Sequence, residues 1–386
     1  MTGREPVLDC PPMMRPFSSL ALTSLLILAG CGSAAQPAAS APASPSAAVS
    51  TKPAASPSAS ASSAAKPAAS AQSSAAAGTK PLTKVIEALP THDVGYLSSI
   101  VAREKGYFSD AGLQVDLPVM TSQVAIPALI NKQVTFAAHG SAQRAAYQGA
   151  ALTAIWYAWQ YNTFYAVASK DIKTYQDLKG KVLAIASPGS SEDVIIHLLL
   201  KKEGISPDQV NIIAMGGGPQ RVTAMIGGQV NFSVLNPDVT SELEEKGFTI
   251  LGPLADVLPV PWSGFAVHKD TLRDQPDMIK GWLHAQEQAL LFIKQNPTES
   301  AAIAMKEFEL SQSVADKALK LLQPAISDDD PGGLTQAGLV LNTQVDMDAL
   351  KLTGDPLALG EKVNDMGPLR EVQRQMGIHC TKGFQC

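Results

Sequence analysis

Residues Lys181–Glu203 read KVLAIASPGSSEDVIIHLLLKKE, and Val210–Leu235 read VNIIAMGGGPQRVTAMIGGQVNFSVL. An apolar run of strand length from Lys181 to Ala186 meets the turn Pro188-Gly189-Ser190-Ser191. The next stretch, Glu192 to Glu203, sets Val194, Ile195, Leu198 and Leu199 on one face of a helix. The cycle then repeats, with a strand from Val210 to Met215, a Gly216-Gly217-Gly218 turn, a helix from Val222 to Ile226 and a strand from Val230 to Leu235. Strands alternating with helices at such short spacing predict a parallel sheet covered by helices.

The same alternation runs upstream. Thr83 to Leu89 reads as a strand, followed by the turn Pro90-Thr91-His92-Asp93 and an amphipathic helix from Leu97 to Lys105 that stops at Gly106. Strands at Leu113 to Val119 and Val134 to Ala138 flank a helix at Val124 to Asn131, and the second strand reaches His139-Gly140-Ser141. Thr153 to Trp159 and Phe164 to Ser169 complete the block, so two βα blocks imply two similar lobes. From Pro276 the texture is helical: Ile279, Trp282, Leu283, Leu290 and Ile293 form a 3.6-residue stripe that Pro297 ends. Further helices are expected near Glu299 to Phe308, Ser313 to Leu322 and Thr335 to Val345.

The N-terminus reads differently. Leu20 to Leu28 is a short apolar run after Arg15, closed by Leu28-Ala29-Gly30-Cys31. It is too short to span a bilayer and carries small residues where a signal peptidase cuts. The order matches a bacterial lipobox, which makes Cys31 the acylated first residue of the mature chain. Residues 32 to about 80 are almost entirely Ala, Ser and Pro, with nothing large to bury, as expected of an extended tether. The expected organisation is therefore 1–30 signal peptide, 31–81 lipidated Cys and tether, 82–163 plus 266–386 as lobe 1, and 164–265 as lobe 2. Of the four cysteines, Cys10 is removed and Cys31 lipidated. Cys380 and Cys386 remain for a disulfide, with free thiols or a metal site beside His379 as the alternatives.

Composition narrows the functional class. Lys plus Arg total 30 against 35 Asp plus Glu, a formal charge of −5, which gives no electrostatic footprint for nucleic acid. The triple glycine matches neither G-x-G-x-x-G nor G-x-x-x-x-G-K-[ST]. The Ser190 turn lacks the G-x-S-x-G context of a hydrolase. The six His show no i, i+4 pair, so no metal site or cofactor is expected.

Several segments resemble the NMT1/THI5-like substrate-binding proteins of ABC importers, a group serving nitrate, sulfonates, taurine and pyrimidine precursors. Glu104-Lys105-Gly106-Tyr107-Phe108 with Ala111-Gly112-Leu113-Gln114-Val115 is similar to the family's opening helix and second strand. Ala128 to Phe136 resembles its "ALxxGxVDF" segment, with Lys132 for the usual Gly and Thr135 for the usual Asp. Ala224 to Asn231 repeats the pattern with Asn231 for Asp, and Asp177-Leu178-Lys179-Gly180-Lys181 and Val363-Asn364-Asp365-Met366 match further segments. The resemblance spans about 84 to 377. It implies an α/β, type II periplasmic-binding-protein-like fold of two lobes, each a mainly parallel sheet flanked by helices, closing over a ligand in the cleft between them. The crossings between lobes are expected near Tyr161 to Phe164 and Trp262 to Phe265.

In open parallel sheets ligands sit outside the carboxyl ends of the strands. That rule selects Thr91, His92 and Asp93; Thr121 and Ser122; Gly140 and Ser141; Trp156, Tyr157, Trp159 and Gln160; Ser187, Gly189, Ser190 and Ser191; Gly216, Gly217 and Arg221; Asn236 and Asp238; and Trp262 at the second crossing. Ser190-Ser191 beside Gly189 suits an anion or polar headgroup, or is a plain helix cap worth ~1 kcal/mol. The aromatics from Trp156 to Tyr161 suit a planar ligand, and alternation sends about half of them away from the cleft. Trp262 is either hinge packing or a lid. Asp238 could meet an amine or merely form a turn. The expected protein is a monomeric, extracytoplasmic, non-enzymatic lipoprotein that binds a small molecule, docks on a permease and is held to the bilayer through Cys31. A membrane sensor, or a pyrimidine-precursor synthase of the same fold, are the alternatives.

Overall fold

The computed structural model describes residues 81–255 and 258–386, except the side chains of 241 and 242. Residues 1–80, which include the segments expected to be signal peptide and tether and Cys31, lie outside the described residues. Among the described residues, ten strands form two five-stranded sheets. In lobe 1, β1 (Thr83–Ala88), β2 (Leu113–Asp116), β3 (Phe136–Ala138) and β4 (Leu152–Trp159) are joined by β10 (Trp262–His268) in the order β2-β1-β3-β10-β4. In lobe 2, β5 (Tyr165–Ala168), β6 (Val182–Ile185), β7 (Asn211–Ala214), β8 (Phe232–Leu235) and β9 (Thr249–Pro253) take the order β7-β6-β8-β5-β9.

The two orders are the same pattern used twice. β1 pairs in parallel with β2 and β3, as β6 does with β7 and β8. The reversed strand is β10 in lobe 1 and β5 in lobe 2, each antiparallel to both neighbours. Four of five strands in each sheet therefore point the same way, and the exception is the strand entered straight from a crossing. The crossings occupy 160–164 and 254–261. β10 begins at Trp262, which pairs with Trp159 of β4. The second crossing is thus complete at Pro261, and Trp262 to Phe265 belong to lobe 1 instead of forming a link. Asn162 Nδ2 donates to Leu258 O at 2.6 Å, and Leu254 N donates to Phe164 O at 2.9 Å, so the two crossings are bonded to each other.

Local chemistry accounts for the elements around the cleft. The helix Ser191–Lys202 starts where Ser190 Oγ accepts from Asp193 N, with acidic side chains in its first turn and Lys201 and Lys202 in its last, as its dipole favours. Its turn-mate in the second half of lobe 2 is the helix Gly218–Ile226.

The departures from the family pattern keep its geometry. Lys132 has φ +58° and its counterpart Gly228 φ +72°, so both close the helix through the same left-handed residue. Thr135 Oγ1 accepts from Ile86 N at 3.3 Å and Asn231 Oδ1 from Val182 N at 3.0 Å. Each thus supplies a side-chain oxygen to the neighbouring strand.

The C-terminal helices do more than complete lobe 1. The helix Pro276–Gln295 buries Ile279, Trp282, Leu283, Leu290 and Ile293 against the lobe 1 sheet. The helices Gln312–Leu322 and Gln336–Leu350 pack instead on lobe 2, against Pro237–Glu245 and Ser191–Lys202. Cys380 and Cys386 are joined as a disulfide, Cα atoms 5.3 Å apart. Asp330 lies beside that pair but is bound to Arg370. No helix among the described residues is long and apolar enough to cross a membrane.

Candidate functional site

The carboxyl ends of β1, β3 and β6 converge on one cavity between the lobes. Its walls are Pro90, Thr91, Asp93, Tyr96, Ser122, Ala138, His139, Gly140, Ser141 and Trp262 from lobe 1, with Ala186, Ser187, Gly189, Ser190, Ser191 and Glu192 from lobe 2. The space open to the centre of a water molecule is about 30 Å³, room for roughly two waters.

The lobes are in contact around this space. Ser122 Oγ lies 2.9 Å from Ser187 Oγ, and Ser141 Oγ donates to Ser122 Oγ at 3.0 Å and to Pro188 O at 3.1 Å. A Cβ placed on Gly140 would stand 2.0 Å from Gly189 O, so glycine at 140 is what permits the approach. Behind them Arg144 of lobe 1 reaches Asp193 of lobe 2 at 2.9 Å and Asp346 at 2.7 Å. Lys201 meets Asp348 at 2.9 Å, which ties lobe 2 to the helix Gln336–Leu350.

Asp93 caps the short turn Val94–Tyr96, accepting from Gly95 N at 2.9 Å and from Thr91 Oγ1 at 2.7 Å. Burial still holds its carboxyl above the usual range, against the pull of the Thr91 hydrogen bond and with the charge of Glu192 adding to the rise. His139 Nδ1 lies 3.0 Å from Gly264 N and 3.2 Å from Gly264 O, and burial pushes its pKa down to about 4, so the ring is neutral. Arg221, fully buried, donates to Glu192 Oε1 at 2.8 Å and to Val234 O at 2.9 Å.

Of the residues selected from sequence, Thr91, Asp93, Ser122, Gly140, Ser141, Ser187, Gly189, Ser190, Ser191 and Trp262 meet at the cavity. Gly217 faces Thr91 across the gap, a Cβ there falling 3.5 Å from Thr91 Cγ2. Gly216 takes φ +84° in the same turn, and Thr121 is the exposed residue before the helix Ser122–Ile130. Arg221 sits one layer back, behind Glu192. Asn236 and Asp238 follow the end of β8, with Asn236 Oδ1 and Asp238 Oδ1 buried and without a hydrogen-bond partner among the described residues. Trp262 lines the cavity and packs on Phe164 of the first crossing, ring centres 4.7 Å apart.

Five selections fall elsewhere. His92 turns outward to Glu307 at 3.0 Å and packs on Phe308. Trp156, Tyr157 and Trp159 are buried on both faces of β4, because helices cover both sides of the lobe 1 sheet. Their polar atoms are committed to Glu287 at 2.9 Å, Asn364 at 2.5 Å and Gly95 O at 2.9 Å. Gln160 donates to Asp330 O. The aromatic cluster is core, and the aromatics at the cavity are Tyr96 and Trp262. Sequence reasoning missed Tyr96, His139 and Glu192; His139 directly follows β3, so the strand-end rule applied one residue earlier would have found it.

The same architecture occurs in solved structures: a protein of Bordetella bronchiseptica (20% identical, TM-score 0.65, covering 76% of this chain and 98% of that one) and the periplasmic nitrate-binding protein of Synechocystis (15%, 0.64, 76% and 89%). The alkanesulfonate-binding protein of Xanthomonas axonopodis, bound to MOPS, is a third (15%, 0.59, 75% and 100%). Such identities establish the shared two-lobed periplasmic-binding-protein fold. A binding protein of Brucella abortus is 25% identical over 151 residues, 38% of this chain, and the match spans 47% of its length, about half. The family described as NMT1/THI5 like matches residues 95–300, just over half of the chain. With the repeated turn at Lys132 and Gly228, the paired sheets and the cleft between them, the chain belongs to the NMT1/THI5-like family.

Proposed function

We propose that this protein is an extracytoplasmic solute-binding lipoprotein that closes its two lobes over a small molecule and delivers it to the permease of an ABC importer. The observation that carries this reading is the cavity at the facing strand ends of both sheets, closed by contact between Gly140 and Gly189. Binding proteins for nitrate and alkanesulfonate with the same fold support it. The crossings, bonded to each other and packed by Phe164 and Trp262, form the hinge, and closure excludes water from the polar walls so that each hydrogen bond to the solute strengthens.

The reading is of a binder, supported by the binding proteins that share the fold or part of the sequence. Cys31, in this account, carries the lipid. Changing Cys31→Ser should release the protein from membranes into the soluble fraction with its fold unchanged; retention at the membrane would contradict the anchor. For solute capture the test is thermal denaturation of the purified protein with a panel of nutrient solutes. A bound solute at 100 times its Kd adds about 2.7 kcal/mol to stability. A panel that leaves the melting temperature unmoved argues against solute capture.

A further inference from the structure

We propose that Arg144 is the closure latch of the two lobes: its guanidinium stays on Asp346 at every lobe position and takes hold of Asp193 when the lobes meet, so that the chain itself supplies part of the free energy of closure. The inference rests on the reading that the lobes close over a solute, and adds what holds them closed besides the solute.

Arg144 lies on the helix His139–Tyr147 of lobe 1, and its Nη1 stands 2.9 Å from Asp193 Oδ2 on the helix Ser191–Lys202 of lobe 2. Its Nε donates to Asp346 Oδ1 at 2.7 Å. The helix Gln336–Leu350, which carries Asp346, touches lobe 2 but is bonded to lobe 1: Asn342 Nδ2 donates to Gln143 Oε1 at 3.1 Å, and Tyr147 OH to Thr343 Oγ1 at 3.4 Å. Arg144 and Asp346 therefore travel together. Asp193 is likewise provided for inside its own lobe, where Oδ2 accepts from Gly189 N at 2.8 Å and Oδ1 lies 3.1 Å from His197 Nδ1. Burial works to raise the Asp193 carboxyl, and His197 and Arg144 outweigh it, holding the group below the usual range and charged. Each partner keeps a bond when the lobes part. Breaking the shared bond thus strands neither charge, which is what makes a shielded ion pair reversible.

The bridge is built onto the cavity wall. Both helices begin there, at Gly140 and Ser141 on one side and at Ser190 to Glu192 on the other. A Cβ on Gly189 would lie 3.0 Å from Arg144 Cδ and 3.3 Å from Ser141 Cα, so the arginine stem packs directly on the cavity turn. Side-chain exposure is 16% for Arg144 and 4% for Asp193, which shields the pair from salt and water. A second charge pair across the same seam, Lys201 with Asp348, is more than half exposed on both sides and worth little. Arg144 Nη2 and Asp346 Oδ2 are buried without a partner among the described residues. Those unmet groups carry a cost in the closed form, which limits the hold and leaves release within reach.

The full chain carrying Ser122→Cys and Ser187→Cys tests this without a solute. The two native hydroxyls stand 2.9 Å apart across the lobes. Under a fixed concentration of copper phenanthroline, the rate at which the introduced thiols join follows the population of the closed form, read by mass spectrometry of the cross-linked peptide. Adding Arg144→Gln should slow that rate at least ~10-fold, the loss of a hydrogen bond between charged groups. Asp193→Asn, which keeps an acceptor for Gly189 N, should slow it by a similar factor and carries the test if Arg144→Gln does not fold by circular dichroism. Arg144→Lys keeps the charge and should recover part of the rate, whereas Lys201→Ala should stay within ~2-fold of the parent. An unchanged rate in folded Arg144→Gln or in Asp193→Asn would overturn the latch and leave solute capture standing. Equal slowing by Lys201→Ala would overturn it too, since closure would then follow interlobe charge at large. A parent that never cross-links would show that the lobes do not meet there, against the latch and closure alike.

Discussion

Glu87 in the core of lobe 1 and Asp238 at the cleft end of lobe 2 are both carboxylates withdrawn from water, and the protein treats them in opposite ways. Glu87 is fully buried on β1 and receives Trp282 Nε1 at 2.7 Å, Gln286 Nε2 at 3.3 Å and the Ser99 hydroxyl. Asp238 has an oxygen with no donor. Burial raises both to about 7. A raised pKa therefore does not show whether a buried carboxylate has its oxygens satisfied; the hydrogen bonds do. Glu87 joins β1 to the helices Leu97–Glu104 and Pro276–Gln295, whereas Asp238 Oδ1 has no donor among the described residues.

Substitutions at the two sites should diverge most. Glu87→Ala strands an indole N–H, an amide and a hydroxyl inside the core and should cost about 3–5 kcal/mol, read as a lower urea midpoint. Asp238→Asn should leave that midpoint unchanged or higher. A destabilised Asp238→Asn or an indifferent Glu87→Ala would erase the distinction.

The effect of pH sharpens it further. A carboxyl whose folded pKa lies above its unfolded value contributes stability at acid pH that is lost as pH rises through the folded value. The ligand-free protein should therefore lose stability as pH climbs from about 4 through about 7. Asp238→Asn should flatten part of that slope, and Glu87→Gln a separate part. An unaltered slope in both variants would show that neither carboxyl titrates as described.

The smallest effect concerns the turn the two lobes share. Lys132 holds a left-handed backbone where Gly228 stands in lobe 2. Lys132→Gly should stabilise by about 1 kcal/mol, reduced by the loss of the exposed Lys132–Asp270 pair, itself worth little. A loss of stability on this change would mean that the two turns are not equivalent.

Much of this architecture was legible in the chain because it is local. Strand–turn–helix alternation, the Pro297 stop and the Ser190 cap each depend on residues within a few positions of one another, and nine residues selected by the strand-end rule meet at one cavity with Trp262. The β4 aromatics were misplaced because their fate depends on distant helices: Glu287 and Asn364, more than 100 positions downstream, supply the partners of Trp156 and Tyr157. The same distance hid the packing of Gln336–Leu350 on lobe 2. Glu192 looked like an ordinary first-turn acid, and only the folded chain places Arg221 against it. The unmet oxygen of Asp238 has no local signature, since it is defined by what fails to pack on it.

The central claim, that a solute is captured by closure of the lobes at Gly140 and Gly189, is tested most directly by a wedge. Gly140→Leu places a side chain where even a Cβ meets Gly189 O at 2.0 Å. Titration calorimetry of the wild type and this variant with a solute that binds the wild type should show affinity reduced at least ~100-fold, as expected when the closed state is blocked, with little change in melting temperature without solute. Equal affinity in both proteins would place the solute outside the interlobe cavity and contradict the account.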